Sequence, residues 1–263
     1  MHYLVLGGEA SWDDSPAEHA EFLFEFVRTQ GVQTNEVQRA WVLVPLFCRV
    51  AERTSAREID LVELGPSAGL LLVWNRYRCD YTARSVGPRD AAVVLHGEER
   101  RPVRGSLLEH VPRVRRRVGI DRDPIDVTDP DRARLLKSFV WADQTDRLER
   151  LDLAIETLRE DPPELLHADF VDALPDVLGA RSPDVLTVVF QTAALGYVEP
   201  DRRERVRDAL AEAGQILPLV FVSAGNPRIG VEDWGLRIVY WPGGDREFAG
   251  HAEYHGRWLD FEL

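Results

Sequence analysis

Lysine is almost missing from this chain. Lys137 is the only one, and arginine carries nearly all the positive charge. That bias fits GC-rich coding or an acidic cytosol and points to no chemistry. Positive charge is scarce overall, because the net charge is −13. Phosphate contacts need a basic surface, so a general nucleic-acid binder is excluded. Arg113, Arg115, Arg116 and Arg117 form a local exception. They read either as a solvated face or as a contact for an anionic substrate or RNA.

Cysteine is scarce too. Cys48 and Cys79 stand far apart with no C-x-x-C spacing. Free thiols in a reducing cytosol fit better than a disulfide. No apolar run approaches the roughly 18 residues of a membrane-spanning helix. Met1 to Gly8 is too short for a signal peptide and has no basic region before it. A cytoplasmic protein with no membrane partner is expected. His251 and His255 lack the H-E-x-x-H pattern, so no metal site is expected.

What remains is a composition that builds a core. With 263 residues, 44% of them hydrophobic and 29% charged, one soluble globular domain with a small appendage is affordable.

The most informative stretch is Glu63-Leu64-Gly65-Pro66-Ser67-Ala68-Gly69. It follows an apolar strand, 59–62, and runs into an apolar segment predicted as a helix over 67–77. Small residues let backbone approach a ligand, and a helix start offers unpaired N–H groups. The dinucleotide fingerprint G-x-G-x-x-G would need a small residue where Leu70 stands. A phosphate-cradling loop would need Gly-Lys-Ser/Thr, which is absent. The spacing that survives is the one used for S-adenosylmethionine, with an acid at the strand end facing a cationic ligand.

Further along, helical and strand patterns alternate. Helices are predicted at 16–29 and 35–53, the second with Asn35 as N-cap and a kink at Pro45. The Gly-, Pro- and Arg-rich stretch 78–117 reads as a β-hairpin insertion. Strands are then predicted at 118–121, 165–169, 185–190, 217–222, 236–241 and 258–263. Helices are predicted at 129–137, 143–159, 175–178 and 200–214. This alternation predicts an α/β fold: a doubly wound, mostly parallel, Rossmann-like sheet. Residues 1–56 would form an N-terminal helical cap and 57–263 the main domain.

In such a sheet the ligand lies beyond the carboxyl ends of the strands. Glu63, Asp121 and Asp169 end the first three predicted strands. Asp121 would hold ribose hydroxyls and Asp169 the adenine amino group, with Phe170 against the adenine ring. Asp121 in Asp121-Arg122-Asp123-Pro124 is also good turn chemistry, so both readings stand. Gln191 and Thr192 follow the fourth strand, where a donor meets its acceptor. The cofactor-side candidates are therefore Glu63, Gly65, Pro66, Ser67, Ala68, Gly69, Asp121, Asp169, Phe170 and Gln191.

Residues 33–39 pack Gln33, Asn35, Glu36 and Arg39 into a short stretch predicted to open the second helix. Glu36 and Arg39 could be a surface i,i+3 pair. The alternative places Gln33, Asn35, Glu36, Arg39 and Thr192 on the substrate side of the site.

Several ordered motifs carry a family resemblance. They are Gln33-Thr34-Asn35-Glu36-Val37-x-Arg39, Glu63-Leu64-Gly65-x-Ser67-Ala68-Gly69-Leu70, Asp121-x-x-Pro124-x-Asp126-Val127-Thr128-Asp129-Pro130 and Val140-Trp141-x-Asp143-Gln144. The set resembles an uncharacterised bacterial and archaeal family, the domain of unknown function DUF2332. The resemblance implies a class I S-adenosylmethionine-dependent methyltransferase-like core and supplies no activity. Leu71-Leu72 stands where family members commonly have Asn-Leu. Members also tend to carry a longer N-terminal helical region, so part of a cap is expected to be absent here. The expected function is methyl transfer from S-adenosylmethionine to a small molecule, with no general base named. The alternative is a degenerate fold of this kind that binds a nucleotide or a protein partner. A nucleotide-using oxidoreductase is a third reading, and Leu70 counts against it.

Overall fold

The structure is a computed structural model and describes residues 1–33, 36–225 and 233–263. The chain opens on three helices: α1 (His2–Leu6), α2 (Ala20–Thr29) and α3 (Arg39–Thr54). α3 begins four residues later than its amphipathic pattern predicts, with Gln38 at its N-cap. The expected cap, Asn35, lies outside the described residues. α3 is apolar on nearly every side and buried from Arg39 to Cys48. A helix with no wet face belongs inside a protein, and α3 shares one core with β1 and β8 below.

β1 (Glu58–Leu64) follows. Then come three short strands, β2 (Arg78–Asp80), β3 (Ser85–Val86) and β4 (Val94–His96), and a fourth, β5 (Glu98–Arg101). The remaining elements are β6 (Arg113–Asp121), α4 (Pro130–Ser138), α5 (Thr145–Glu160), β7 (Glu164–His167), α6 (Phe170–Gly179), β8 (Leu186–Thr192), α7 (Pro200–Ile216), β9 (Leu219–Gly225), β10 (Asp233–Trp241), β11 (Asp245–Glu253) and β12 (Trp258–Phe261).

The main sheet has nine strands in the order β5-β12-β11-β10-β9-β8-β1-β6-β7. From β7 to β9 every neighbouring pair is parallel. β9 to β12 then form an antiparallel meander, and β5 closes the far edge parallel to β12. The fold is thus mixed α/β with a large, mostly parallel sheet. Strand order reverses at β1, with β6 and β7 on one side and β8 and β9 on the other. That reversal opens a crevice at the carboxyl ends of β1 and β8.

Both sheet faces are covered, and the strand pleat divides the side chains between them. Ile59 and Leu61 of β1, with Val188 and Phe190 of β8, join the core under α3 and α5. Val62, Leu64 and Val189 face the opposite core with α6 and α7. Glu63 continues the row of Ile59 and Leu61, so the pleat turns its side chain to the α3 face.

Two expectations are corrected. No α-helix follows β1: residues 67–73 are turns, leading to a short 3-10 helix at Trp74–Arg76. Positive φ at Gly65, Ser67 and Gly69 is incompatible with a continuous right-handed helix. The insertion is also more than a hairpin. β2 pairs antiparallel with β3 and parallel with β4, while β5 leaves for the main sheet. It ends before Arg113, because the arginine cluster belongs to β6. There Arg113, Arg115, Arg116 and Arg117 pair with Glu58, Asp60, Glu164 and Asp161. The cluster is an ion-paired face, and its charge is already taken.

Candidate functional site

Because β1, β6 and β8 run parallel, their last residues meet at one edge of the sheet. Glu63 sits one residue from the end of β1, Asp121 ends β6 and Thr192 ends β8. Phe170 opens α6 just beyond β7. A cavity of about 410 Å³ lies over this edge. It is lined by Gln33, Glu36, Arg39, Glu63, Gly65, Pro66, Ser67, Asp121, Phe170 and Thr192 among the sequence candidates. Its volume is within the range typical of small-molecule pockets.

The turn after β1 forms the floor. Gly65 adopts φ +71, and a Cβ there would lie 2.8 Å from the Cβ of Ala194. Ser67, at φ 56, donates its backbone N–H to Asp121 Oδ2 at 2.8 Å. Asp121 Oδ1 accepts the Asp123 N–H at 2.9 Å. Asp121 therefore does the turn chemistry its sequence context suggested, and it lines the cavity as well.

Among the described residues, three buried polar atoms beside the cavity find no hydrogen-bond partner: Glu63 Oε2, Ser67 Oγ and Arg39 Nη2. Their residues are 2%, 5% and 2% exposed. Buried polar groups are nearly always paired, so unpaired atoms on three residues lining one cavity make it the candidate ligand site. Burial pushes the Glu63 carboxyl up to about 8. The Asp121 carboxylate adds to the rise and Arg39 opposes it.

Arg39 is held on all sides but one. Its Nε donates to the Tyr254 carbonyl at 3.1 Å and its Nη1 to Thr192 Oγ1 at 3.4 Å. The guanidinium lies 4.4 Å from the Trp234 ring centre and 4.5 Å from that of Tyr254. Burial lowers its pKa. Glu36 is not its surface partner. Glu36 is buried, accepts the Gln38 N–H at 3.1 Å, and faces Arg147 Nε at 2.9 Å and Arg150 Nη2 at 3.7 Å. Gln33 Nε2 donates to the Asp123 carbonyl at 3.2 Å.

Other candidates fall outside the cavity lining. Asp169 caps α6 through the Val171 N–H and pairs with Arg122 and Arg202. Gln191 is buried and bonded to Ser223, Ala224 and Leu195. Ala68 packs in the core. Gly69 is required by packing, because a Cβ there would lie 2.9 Å from Pro163.

The cavity also gathers residues that the sequence reading missed, notably Val32, Leu70, Leu71, Arg122, Tyr197, Val198 and Tyr254. Tyr197 follows the end of β8, so the strand-end rule extended a few residues would have found it. Tyr254 comes from the β11–β12 connection, far from every motif, and no local signal marks it.

The chain belongs to the family described as "Uncharacterized protein conserved in bacteria (DUF2332)". The match covers residues 9–261. A crystal structure of an S-adenosylmethionine-dependent methyltransferase from Clostridium acetobutylicum ATCC 824 is similar at 9% identity and a TM-score of 0.31. The likeness covers 89% of this DUF2332 chain and 79% of that one. Comparison with curated proteins gives no significant match. Among the described residues no helix is long and apolar enough to cross a membrane.

Proposed function

We propose that this protein binds S-adenosylmethionine and transfers its methyl group to a small molecule. In this reading the block from β7 to β9 is a Rossmann-like, methyltransferase-type sheet, and the crevice at β1 is the ligand site. The observation that carries it is the set of orphaned atoms in residues that line this cavity, Glu63 Oε2 and Ser67 Oγ on the donor side and Arg39 Nη2 on the acceptor side.

The residues present fit the donor. Glu63 is a buried acceptor without a partner, suited to the cationic methionine portion. Ser67 Oγ and the Gly65–Ser67 backbone border the same space, and Phe170 offers a ring to the adenine. Asp121 keeps lone pairs for ribose hydroxyls beyond the two N–H groups it accepts. Asp169, outside the lining, drops out of the adenine role. The donor supplies an already activated methyl on a sulfonium. The chain's task is then alignment and exclusion of water, which suits a site lacking an assigned base. Gln33, Glu36, Arg39 and Thr192 border the side left for the acceptor.

Calorimetry with S-adenosylmethionine, S-adenosylhomocysteine, NAD and ATP tests the reading. Saturable binding of the first two alone supports it, and a folded sample that binds neither sinks it. A second reading, a nucleotide-binding module without transferase activity, draws on the missing helix after the 65–69 turn. Binding of both donor forms with no methylation of any offered acceptor would favour it.

A further inference from the structure

The cavity is divided along the strand order. Phe170, Asp121 and Ser67 border its β7–β6–β1 side. Arg39, Thr192 and Tyr197 border its β8 side, under Tyr254. With the donor over the first half, as the reading above places it, the second half is free for the acceptor.

Arg39 dominates that half. Its charge is buried, and among the described residues no carboxylate pairs with it. Glu36, the nearest acid in sequence, is taken by Arg147 and Arg150. Nε and Nη1 are used, and Nη2 has no partner. Trp234 and Tyr254 hold the guanidinium between their rings, which fixes its plane. Glu36 and Glu63 act on it only through space, so it is a buried, immobilised cation with no hydrogen-bonded carboxylate, which is costly, and a planar guanidinium matches a planar oxyanion best. Only one nitrogen is unused, and Glu63 and Asp121 lie on the same cavity, so a dianion is disfavoured. Leu70, Val198 and the Tyr197 ring supply apolar surface alongside.

We propose that the Arg39 corner binds a carboxylate of the methyl acceptor, which is therefore a small carboxylic acid with an apolar or aromatic body. This rests on the donor reading only for which molecule brings the carboxylate.

The probes are benzoate, phenylacetate and hexanoate, each against its primary amide, titrated by ligand-observed NMR with and without S-adenosylhomocysteine. At least one acid is expected to bind about tenfold or more tightly than its amide, the size of a charge-assisted hydrogen bond. Arg39→Gln removes that preference while S-adenosylhomocysteine still binds saturably, because the guanidinium reaches the donor half only through its effect on the charge of Glu63. Arg39→Lys, which keeps the charge and loses the planar fork, weakens the preference in the same direction and serves if Arg39→Gln does not fold. Acids no better than amides, or phenyl phosphate tighter than benzoate, overturn the proposal. So does an Arg39→Gln that weakens S-adenosylhomocysteine but not its decarboxylated analogue, because the guanidinium then serves the donor. Arg39-dependent binding of acids with no binding of S-adenosylhomocysteine leaves this site standing and removes the donor reading.

Discussion

The backbone N–H of Ser67 donates to Asp121 Oδ2 at 2.8 Å, which ties the turn after β1 to the tip of the neighbouring strand β6. The same carboxylate accepts the Asp123 N–H at 2.9 Å. One side chain thus shapes the cavity floor and the loop beside it. Asp121→Ala leaves the buried Ser67 N–H without its partner, while the exposed Asp123 N–H can turn to water, and is expected to cost about 1–3 kcal/mol, the usual penalty for one abandoned buried donor. Asp121→Asn can accept from only one of them and should fall between. Urea unfolding of the three proteins checks the order.

Glu63 makes the protein sensitive to pH in a defined direction. Its carboxyl is pushed from the ordinary 4.5 to about 8, so the native state holds a proton that the unfolded chain has lost. The stability it contributes is complete below pH 4.5 and is lost as pH rises through about 8. Glu63→Gln should flatten that part of the stability–pH curve, as read by urea melts at a series of pH values. A wild-type-like slope in the variant would place the titrating group elsewhere.

The same carboxyl links ligand charge to proton release. A cation in the cavity favours the ionised form, so binding S-adenosylmethionine near pH 7 should expel a proton. Calorimetry in buffers of different ionisation enthalpy measures this directly. Affinity should rise as pH approaches about 8 and then level off, and Glu63→Gln should abolish the proton release.

Gly65 and Gly69 make a paired test of which glycine serves the cavity. Both have positive φ, so alanine at either is expected to cost about 1–2 kcal/mol from backbone strain. Only Gly65 borders the cavity, where an added methyl would press on Ala194. Gly65→Ala should weaken S-adenosylhomocysteine binding, whereas Gly69→Ala should lower the melting temperature and leave affinity unchanged in the folded fraction.

Asp169→Asn should behave as a structural change. Asp169 lies outside the cavity lining, where it caps α6 and pairs with Arg202 and with Arg122, which itself borders the cavity. Asparagine still caps the helix, so only the partly exposed ion pairs are lost, at an expected cost of about 1 kcal/mol or less. Donor affinity should stay close to wild type, and a large loss would return Asp169 to the site.

Much of this arrangement was legible because local chemistry and tertiary structure agree. Four of the six residues at 185–190 are β-branched, and 186–190 lie in the strand beside β1. Glu63, Asp121 and Thr192 were legible as strand-end residues, since parallel strands bring their tips together. The turn after β1 misled in one respect. Leu70 to Trp74 has helix-compatible composition, yet left-handed backbone at Gly65, Ser67 and Gly69 holds the segment in turns. Periodicity carries no information about φ at Ser67. Arg39 read either as half of a surface pair, because i,i+3 spacing is visible in sequence, or as a substrate-side residue. Its real partners, Tyr254, Trp234 and Thr192, are brought together only by the sheet. The pairing of β5 with β12 joins residues far apart in the chain, and no local pattern signals it.

The placement of Tyr254 has a consequence for synthesis. A ribosome releases the glycine turn by residue 69 and the strand tips by residue 192. Arg39, however, waits for Trp234 and for the carbonyl and ring of Tyr254 before it is fixed. A nascent chain halted after β9 would expose a charged guanidinium beside an unfinished crevice. The Arg39 corner is thus completed by a meander that contains none of the recognisable motifs, and partial products of translation should lack acid binding there.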